Sequence, residues 1–504
     1  MMDIKSIAII GAGIMGMGIA QIAAQAGIKV QIYDSHMGTA QQGLNTLKVT
    51  LEKLQQKGKF SEHELQQVIS KITIVDTLEQ VDDAVDLIIE AIIEDLEIKQ
   101  NLFKQLEKIV PSETILASNT SSLSITAIAS VLEYPERVAG FHFFNPVPLM
   151  KIVEVVAGLS TSKDIIDSLL NFAKKLGHVG VATKDTPGFI VNHAGRAYGT
   201  EALKILSEGV ASISDIDRIL RDGVGFRMGP FELLDLTGLD VSHPVMESIY
   251  YQYYEEDRYR PNPLTRQMLD GKKIGRKVNE GFYRYENGIK QNESPIPTVP
   301  VLHDFHKVWL KTDLEKDATQ LKEYLQQYKF ELDHAELPDP QSLILLATYG
   351  EDTTTAALRF GVDPKRSVNI DMLYGFARHR TLMPSLITAK NYLDQAHAVL
   401  SKDQVGVSII HESYGFVAQR VLAMIVNLAC DIAQQNIATA SDIDQAVKLG
   451  LGYPFGPISW GDHLGSDRIL LILERILQST HDQRYRPSPW LKRRVQLGLS
   501  LLYQ

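Results

Sequence analysis

Two hydrophobic periods alternate along the first 34 residues. KSIAII, from Lys5, is a continuous apolar run of the kind a buried strand carries; IAQIAAQAG, from Ile19, has helical spacing; KVQIYD, from Lys29, returns to strand composition. The glycine-rich segment GAGIMGMG joins the first strand to the helix. Further β-branched and apolar runs predict strands at residues 72–75, 87–90, 114–117, 138–143 and 152–156, with helical patterns between several of them. This alternation predicts a doubly wound, mostly parallel sheet ending near Lys184. The stretch 39–68, rich in Gln, Lys and Glu, reads as a helical insertion solvated along much of its surface.

From about Asp185 the strand signal fades and helical periodicity takes over, up to the aromatic motif GFYRY at residues 281–285. A polar segment containing prolines follows as a linker. The chain then repeats itself. SDIDRILRDGVGFRMGPFELLDLTGLD, from Ser214, returns as SDIDQAVKLGLGYPFGPISWGDHLGSD, from Ser441. Gly188-Phe189, Asp217, Gly229-Pro230 and Asp235 recur 227 residues later as Gly415-Phe416, Asp444, Gly456-Pro457 and Asp462. So many matches at one offset mean that the helical domain is duplicated. Between the copies, SLILLATYG and VNIDML are strand-like but lack a glycine-rich loop, which points to the remnant of a second nucleotide-binding domain. The expected architecture is an α/β Rossmann-like N-terminal domain (1–185) and an all-α domain (186–286). A linker with the remnant (287–410) and a second, catalytically degenerate helical copy (411–504) follow.

A chain of 504 residues exceeds one compact core and fits this division. Its formal charge of −10 comes from interspersed acids, which argues against nucleic acid or an anionic membrane as the main partner. The single cysteine, Cys430, lies in an apolar run; it allows no internal disulfide, and no metal site is expected. Residues 7–20 are apolar, but their turn glycines lead into a strand and helix pattern and not to a cleavage site. No stretch reaches the roughly 20 apolar residues that span a bilayer. A cytoplasmic protein is the expectation.

Chemistry enters with Gly11, Gly13 and Gly16. As GxGxxG between a strand and a helix, they give the tight turn, the close approach of a pyrophosphate and the close packing of helix on sheet. Asp34 ends the next strand, where a carboxylate accepts from a ribose diol and repels a 2′-phosphate; no arginine follows it, so NAD is expected over NADP. Downstream, the segment 118–156 holds a hydroxyl (Ser121), an imidazole (His142) and a carboxylate (Glu154). Each alone is ordinary. Following a nucleotide loop, they are the parts of an alcohol-oxidising proton relay: the imidazole takes the proton, the carboxylate orients it, and the hydroxyl fixes the reacting oxygen.

GAGxMGxGIA, SNTSSL, HFFNPVP, IVEVV and DTPGFIVN, all within residues 4–285, make the chain similar to L-3-hydroxyacyl-CoA dehydrogenases. With the second helical copy the whole chain resembles the long bacterial members associated with phenylacetate degradation, whose expected substrate is 3-hydroxyadipyl-CoA. The resemblance implies that His142 is the general base, Glu154 its partner and Ser121 a donor to the substrate C3 oxygen. It also implies that Asn192 positions the substrate and that Glu94 and Lys99 lie near the nicotinamide. Two departures stand out: His193 replaces the family's arginine after GFIVN, and Asn279 replaces the glycine two residues before GFY. Lys53, Lys57 and Lys59, near a helix end, are candidates for CoA phosphates; a solvated helix face is the competing reading. One active site is expected, and the second helical copy is expected to take a dimer partner's place within the chain, a homodimer of the whole remaining open. A 3-hydroxybutyryl-CoA dehydrogenase and a redox-inactive NAD and acyl-CoA binder are the alternatives; the intact relay disfavours the binder.

Overall fold

The computed structural model describes residues 2–82, 84–302 and 304–503. The chain forms two compact units, residues 1–193 with 435–452, and residues 194–434 with 453–504.

The first unit is built on eight strands: β1 (Ser6–Ile10), β2 (Lys29–Tyr33), β3 (Ile72–Ile74), β4 (Leu87–Glu90), β5 (Ile115–Ser118), β6 (Val138–Phe143), β7 (Ile152–Ala157) and β8 (Val179–Lys184). Their order is β3-β2-β1-β4-β5-β6-β7-β8, parallel except for the antiparallel pair β6–β7. The strands are continuous apolar runs because helices cover both faces. These helices are α1 (Ile14–Gln25), α2 (Thr39–Gln56), α3 (Glu62–Ser70), α4 (Leu96–Ile109), α5 (Ile125–Ala129) and α6 (Lys163–Lys175). The polar stretch 39–68 is exposed along much of its surface, as its composition predicts, and is anchored by a narrow apolar stripe. Ala40, Leu44, Leu47 and Leu51 recur at spacings of three and four on α2, and Leu65 and Val68 on α3, so each helix buries one stripe in the sheet's core. A short helix, α7 (Val191–Ala194), ends the first part of this unit.

The second unit begins with the first helical copy: α8 (Arg196–Ser207), α9 (Ile213–Arg218) continuing as a π-helical turn to Val224, α10 (Pro230–Thr237), α11 (Leu239–Gln252) and α12 (Pro263–Asp270). The repeated aspartates explain the aromatic motif. Asp217 accepts from the amides of Phe231 and Glu232 at the start of α10 and from the Tyr283 hydroxyl. Asp235 accepts from the amides of Phe282 and Tyr283 and from the Tyr285 hydroxyl, at 2.8–2.9 Å. Asp235→Ala orphans three buried donors and is expected to destabilise the protein by on the order of 3 kcal/mol in denaturant titration. Asn279 stands at φ 61°, the left-handed region that asparagine tolerates best after glycine, so the departure from the family pattern keeps the turn.

After the hairpin β9 (Tyr285–Glu286) and β10 (Ile289–Lys290) comes a second sheet: β11 (Val308–Thr312), β12 (Leu343–Ala347), β13 (Ser367–Ile370), β14 (His379–Pro384) and β15 (Gly406–Ile409), in that order. Only β13–β14 is antiparallel, as β6–β7 is in the first sheet. Helices α13 (Glu315–Gln327), α14 (Thr353–Phe360) and α15 (Lys390–Val399) accompany it. The strand-like pieces between the helical copies thus form a five-stranded sheet that shares the single antiparallel pair of the first sheet. The second helical copy comprises α16 (Val417–Gln434), α17 (Ala440–Gly450), α18 (Pro457–Leu464), α19 (Ser466–Thr480) and α20 (Pro489–Leu497); of these, α17 lies in the first unit. Helix α16 is long and apolar enough to cross a membrane, but 89% of it is buried among protein, including α8. Cys430 is one of its buried residues.

Candidate active site

The loop after β1 has the shape a dinucleotide needs. Gly11 has φ +108°, and a Cβ there would lie 2.5 Å from the Ala91 carbonyl oxygen; one on Gly16 would lie 1.8 Å from the Gly11 oxygen. Neither position admits a side chain. At Gly13 nothing lies within 4 Å of that point, and no side chain caps α1 behind it, so its first amides face an open approach suited to a pyrophosphate. Asp34, at the end of β2, accepts from the Ala12 and His36 amides, both at 2.9 Å, which fixes its carboxylate beside the loop. These residues fit NAD.

Two of the three proton-relay candidates, His142 and Glu154, come together because of strand register, whereas Ser121 bonds Glu94 instead. In the antiparallel pair, His142 on β6 lies opposite Glu154 on β7, so both side chains leave the same face of the sheet. His142 Nδ1 lies 2.7 Å from Glu154 Oε2. The carboxylate is fully buried, and its other oxygen accepts from the amides of Ile190 (2.9 Å) and Val191 (2.8 Å). An ionised carboxylate makes Nδ1 the protonated nitrogen and leaves Nε2 as the base. Phe144 and Phe189 flank the imidazole with ring centroids at 4.4 and 5.9 Å. Asn192, half-buried, follows Val191 directly on α7.

A second cluster centres on Glu94. Its Oε1 accepts from the Thr120 hydroxyl at 2.6 Å and from the amides of Ser121 and Ser122 at 2.9 and 3.1 Å. The Ser121 hydroxyl, itself exposed, reaches the same oxygen at 3.3 Å. Lys99 is buried, 3.3 Å from Glu94 and 2.5 Å from Glu90, and so serves to hold these carboxylates. Burial acts to raise the Glu94 pKa, but the Thr120 hydroxyl, the Lys99 charge and the Ser121 amide outweigh it and hold the carboxyl below its ordinary value. The Asn119 side chain joins the two clusters by accepting from the Phe143 amide at 2.8 Å. Glu90 escapes a reading by motif, and Asn119 and Thr120 lie in SNTSSL without a role assigned from it; the signal for Glu90 is a carboxylate ending the apolar run LII, with a lysine nine residues on.

Lys53, Lys57 and Lys59 are exposed at the end of α2. Thr46, Thr50 and Leu54 on the same helix line a largely apolar cleft of about 600 Å³, whose other walls come from Gly13 and Met17 and from the loop Asn145–Leu149. Lys53 and Lys57 each follow a lining residue by three positions, which puts them along the flank of that cleft.

The second sheet lacks this chemistry. The rung after Ile370↔Leu382 sets Asp371 opposite Thr381, with the Asp371 amide donating to the Thr381 carbonyl at 3.1 Å. Asp371 and Thr381 therefore occupy the places of His142 and Glu154. Gln419, in the place of Asn192, bonds Asp371 Oδ1 at 3.1 Å, the Thr348 carbonyl and the Gly350 amide. The arginine lost at His193 persists in this copy as Arg420, which bonds Glu201 (2.8 Å), Glu208 (2.6 Å) and the Tyr485 hydroxyl (2.8 Å). Among the described residues no group of three or more His, Cys, Asp or Glu is arranged to hold a metal.

A dinucleotide loop with an acidic ribose partner, and an imidazole–carboxylate pair on the same sheet, define an NAD-dependent alcohol dehydrogenase. Residues 6–186 match the 3-hydroxyacyl-CoA dehydrogenase NAD-binding domain, and residues 188–285 and 415–500 match the C-terminal domain of that family. The chain belongs to the 3-hydroxyacyl-CoA dehydrogenase family. It is 35% identical to 3-hydroxyadipyl-CoA dehydrogenase of Escherichia coli K12 over 99% of its own length and 98% of that protein. A probable 3-hydroxybutyryl-CoA dehydrogenase of Bacillus subtilis is 44% identical over 56% of the chain and 99% of the relative. The crystal structure of an E. coli K12 3-hydroxybutyryl-CoA dehydrogenase superposes with a TM-score of 0.87 and 34% identity, covering 98% of this chain and 99% of that one.

Proposed function

We propose that the protein oxidises (S)-3-hydroxyadipyl-CoA to the 3-oxoacyl thioester, with His142 as general base. The observation that carries the chemistry is the buried His142–Glu154 pair, held by the two backbone amides of Ile190 and Val191 at the start of α7. The choice of adipyl substrate is supported by the similarity to the E. coli 3-hydroxyadipyl enzyme, which runs the length of both chains.

His142 Nε2 takes the C3 hydroxyl proton while Glu154 holds the ring and stabilises the imidazolium. Bound NAD supplies the acceptor for the C3 hydride. Ser121 donates to the C3 oxygen, and Asn192, next in the chain to the amides that hold Glu154, aligns the thioester side. Glu94, kept ionised by its donors, fixes Ser121 and the nicotinamide end, with Lys99 behind it. The cleft beside α2 takes the pantetheine arm, and Lys53 and Lys57 meet CoA phosphates. Remote binding energy of this kind is what aligns the reacting carbon. Phe144 and Phe189 keep water from the imidazole. A 3-hydroxybutyryl substrate is the second reading, favoured by the name of the structurally similar E. coli enzyme.

Asp34→Arg is expected to weaken NAD binding and improve use of NADP, because it replaces a diol acceptor with a phosphate partner. Fluorescence titration with both cofactors checks this, and unchanged affinity for both would remove Asp34 from the site.

We also propose that one active site works per chain and that the helical copies form an internal pseudo-dimer. The supporting pattern is reciprocal. Gly450 of the second copy packs over Ile152 of β7, and Gly223, 227 residues earlier, packs over His379 of β14, 227 residues after Ile152. The Arg420–Glu201 pair between α16 and α8 adds a charged link between the copies. With α16 buried as a core helix, a cytoplasmic location remains our reading.

A further inference from the structure

Helix α17 belongs by sequence to the second helical copy, yet it packs on β7 and β8 of the first sheet. Its approach is fixed at one end by the Lys184 amide, which donates to the Ile437 carbonyl at 2.9 Å, and by Lys184 Nζ on the Gln435 carbonyl at 3.4 Å. At the other end stands Gly450. Gly450 is the last residue of α17, and a reason for glycine there is found in what surrounds it. The reason is space: a Cβ on Gly450 would lie 3.0 and 3.1 Å from the two methyls of Val191 and 3.7 Å from a methyl of Ile152. Both neighbours flank the carboxylate of the relay. Ile152 precedes Glu154 by two residues on β7, and the Val191 amide donates to Glu154 Oε1 at 2.8 Å.

We propose that Gly450 is a positioning residue for the dehydrogenase reaction: the last turn of α17 seats Val191, Val191 seats Glu154, and Glu154 orients His142. The second helical copy, without catalytic groups of its own, thus builds part of the active site of the first. The inference rests on the reading of His142 and Glu154 as the proton relay. Val191 is β-branched and stiff, so a side chain at position 450 moves its backbone amide and does not merely turn a rotamer.

The test compares Gly450→Val and Gly450→Ala with wild type for kcat against pH, for NAD affinity, and for the His142 pKa by NMR of histidine-labelled protein. Since a 1 Å misplacement costs about a hundredfold, Gly450→Val is expected to lower kcat by about tenfold or more and Gly450→Ala by a few-fold. The acidic limb of kcat and the His142 titration should both move to lower pH, because a displaced carboxylate stabilises the imidazolium less. NAD affinity should stay within about twofold, and adding Val191→Ala to either variant should restore most of the loss by making room. If Gly450→Val does not fold, Gly450→Ala and its Val191→Ala double carry the same comparison. Wild-type values of kcat and His142 pKa in the variants, or a loss that Val191→Ala leaves untouched, would overturn the proposal. Wild-type protein without dehydrogenase activity would instead sink the relay reading, and the NMR titration would still report whether Gly450 governs the His142–Glu154 contact.

Discussion

His142→Ala is expected to lower turnover by about a hundredfold or more, the scale of acid–base catalysis, while NAD affinity stays nearly unchanged. The separation follows from geometry: the imidazole sits between Glu154 and two phenyl rings, whereas the proposed cofactor contacts are on the turn after β1 and at Asp34. Glu154→Gln sharpens the test. The Ile190 and Val191 amides require an oxygen at Oε1, so the amide nitrogen of the glutamine is turned to His142 Nδ1. That nitrogen only donates, and it forces the imidazole into the tautomer whose Nε2 carries a proton and is no base. Loss of turnover comparable to that of His142→Ala is therefore expected from a substitution that preserves shape. Stopped-flow NADH formation measures both; near-normal turnover at neutral pH in His142→Ala would assign the base elsewhere.

Removing everything after Asn287 is expected to give aggregation or a new dimer in size-exclusion chromatography with light scattering. The deletion takes away α16, which packs against α8 along an almost wholly buried surface, and α17, which covers β7 and β8. Buried Glu201 also loses Arg420 and the Tyr485 hydroxyl, its partners at 2.8 and 2.6 Å. With α16 gone, Glu201 is left on the uncovered face of α8, and the exposed apolar surfaces beside it drive association. A new dimer that regained activity would mean that a second copy had restored the covering surfaces. A truncated chain that stays monomeric, soluble and fully active would contradict the pseudo-dimer.

The dinucleotide turn and the His142–Glu154 pair were legible in the sequence because each depends on local rules. Glycine spacing at Gly11, Gly13 and Gly16 is dictated by sterics within one turn, and His142 and Glu154 stand on adjacent strands joined by a short connection. The duplication was equally readable, since its helical parts keep one spacing. The cluster around Glu94 was legible in part: Glu94 and Lys99 are given by the family resemblance, whereas Glu90 and the bond from Thr120 after β5 appear only in the fold. The degeneracy of the second sheet was foreseen as a missing set of residues, but the replacement of His142 by Asp371 needed the strand register. The packing of α17 on the first sheet was hidden for the opposite reason. Its sequence carries an ordinary amphipathic helix, and the partner it covers lies some 260 residues earlier in the chain.

The central claim is tested most directly by following NADH formation with NAD and a panel of 3-hydroxyacyl-CoA thioesters of both C3 configurations, from butyryl to the dicarboxylic adipyl member. The account predicts one NADH per (S)-3-hydroxyacyl-CoA consumed, the highest kcat/KM with 3-hydroxyadipyl-CoA, and no turnover of the (R) series. Highest kcat/KM with 3-hydroxybutyryl-CoA would correct the substrate alone, whereas no NADH from any (S) thioester would contradict the account.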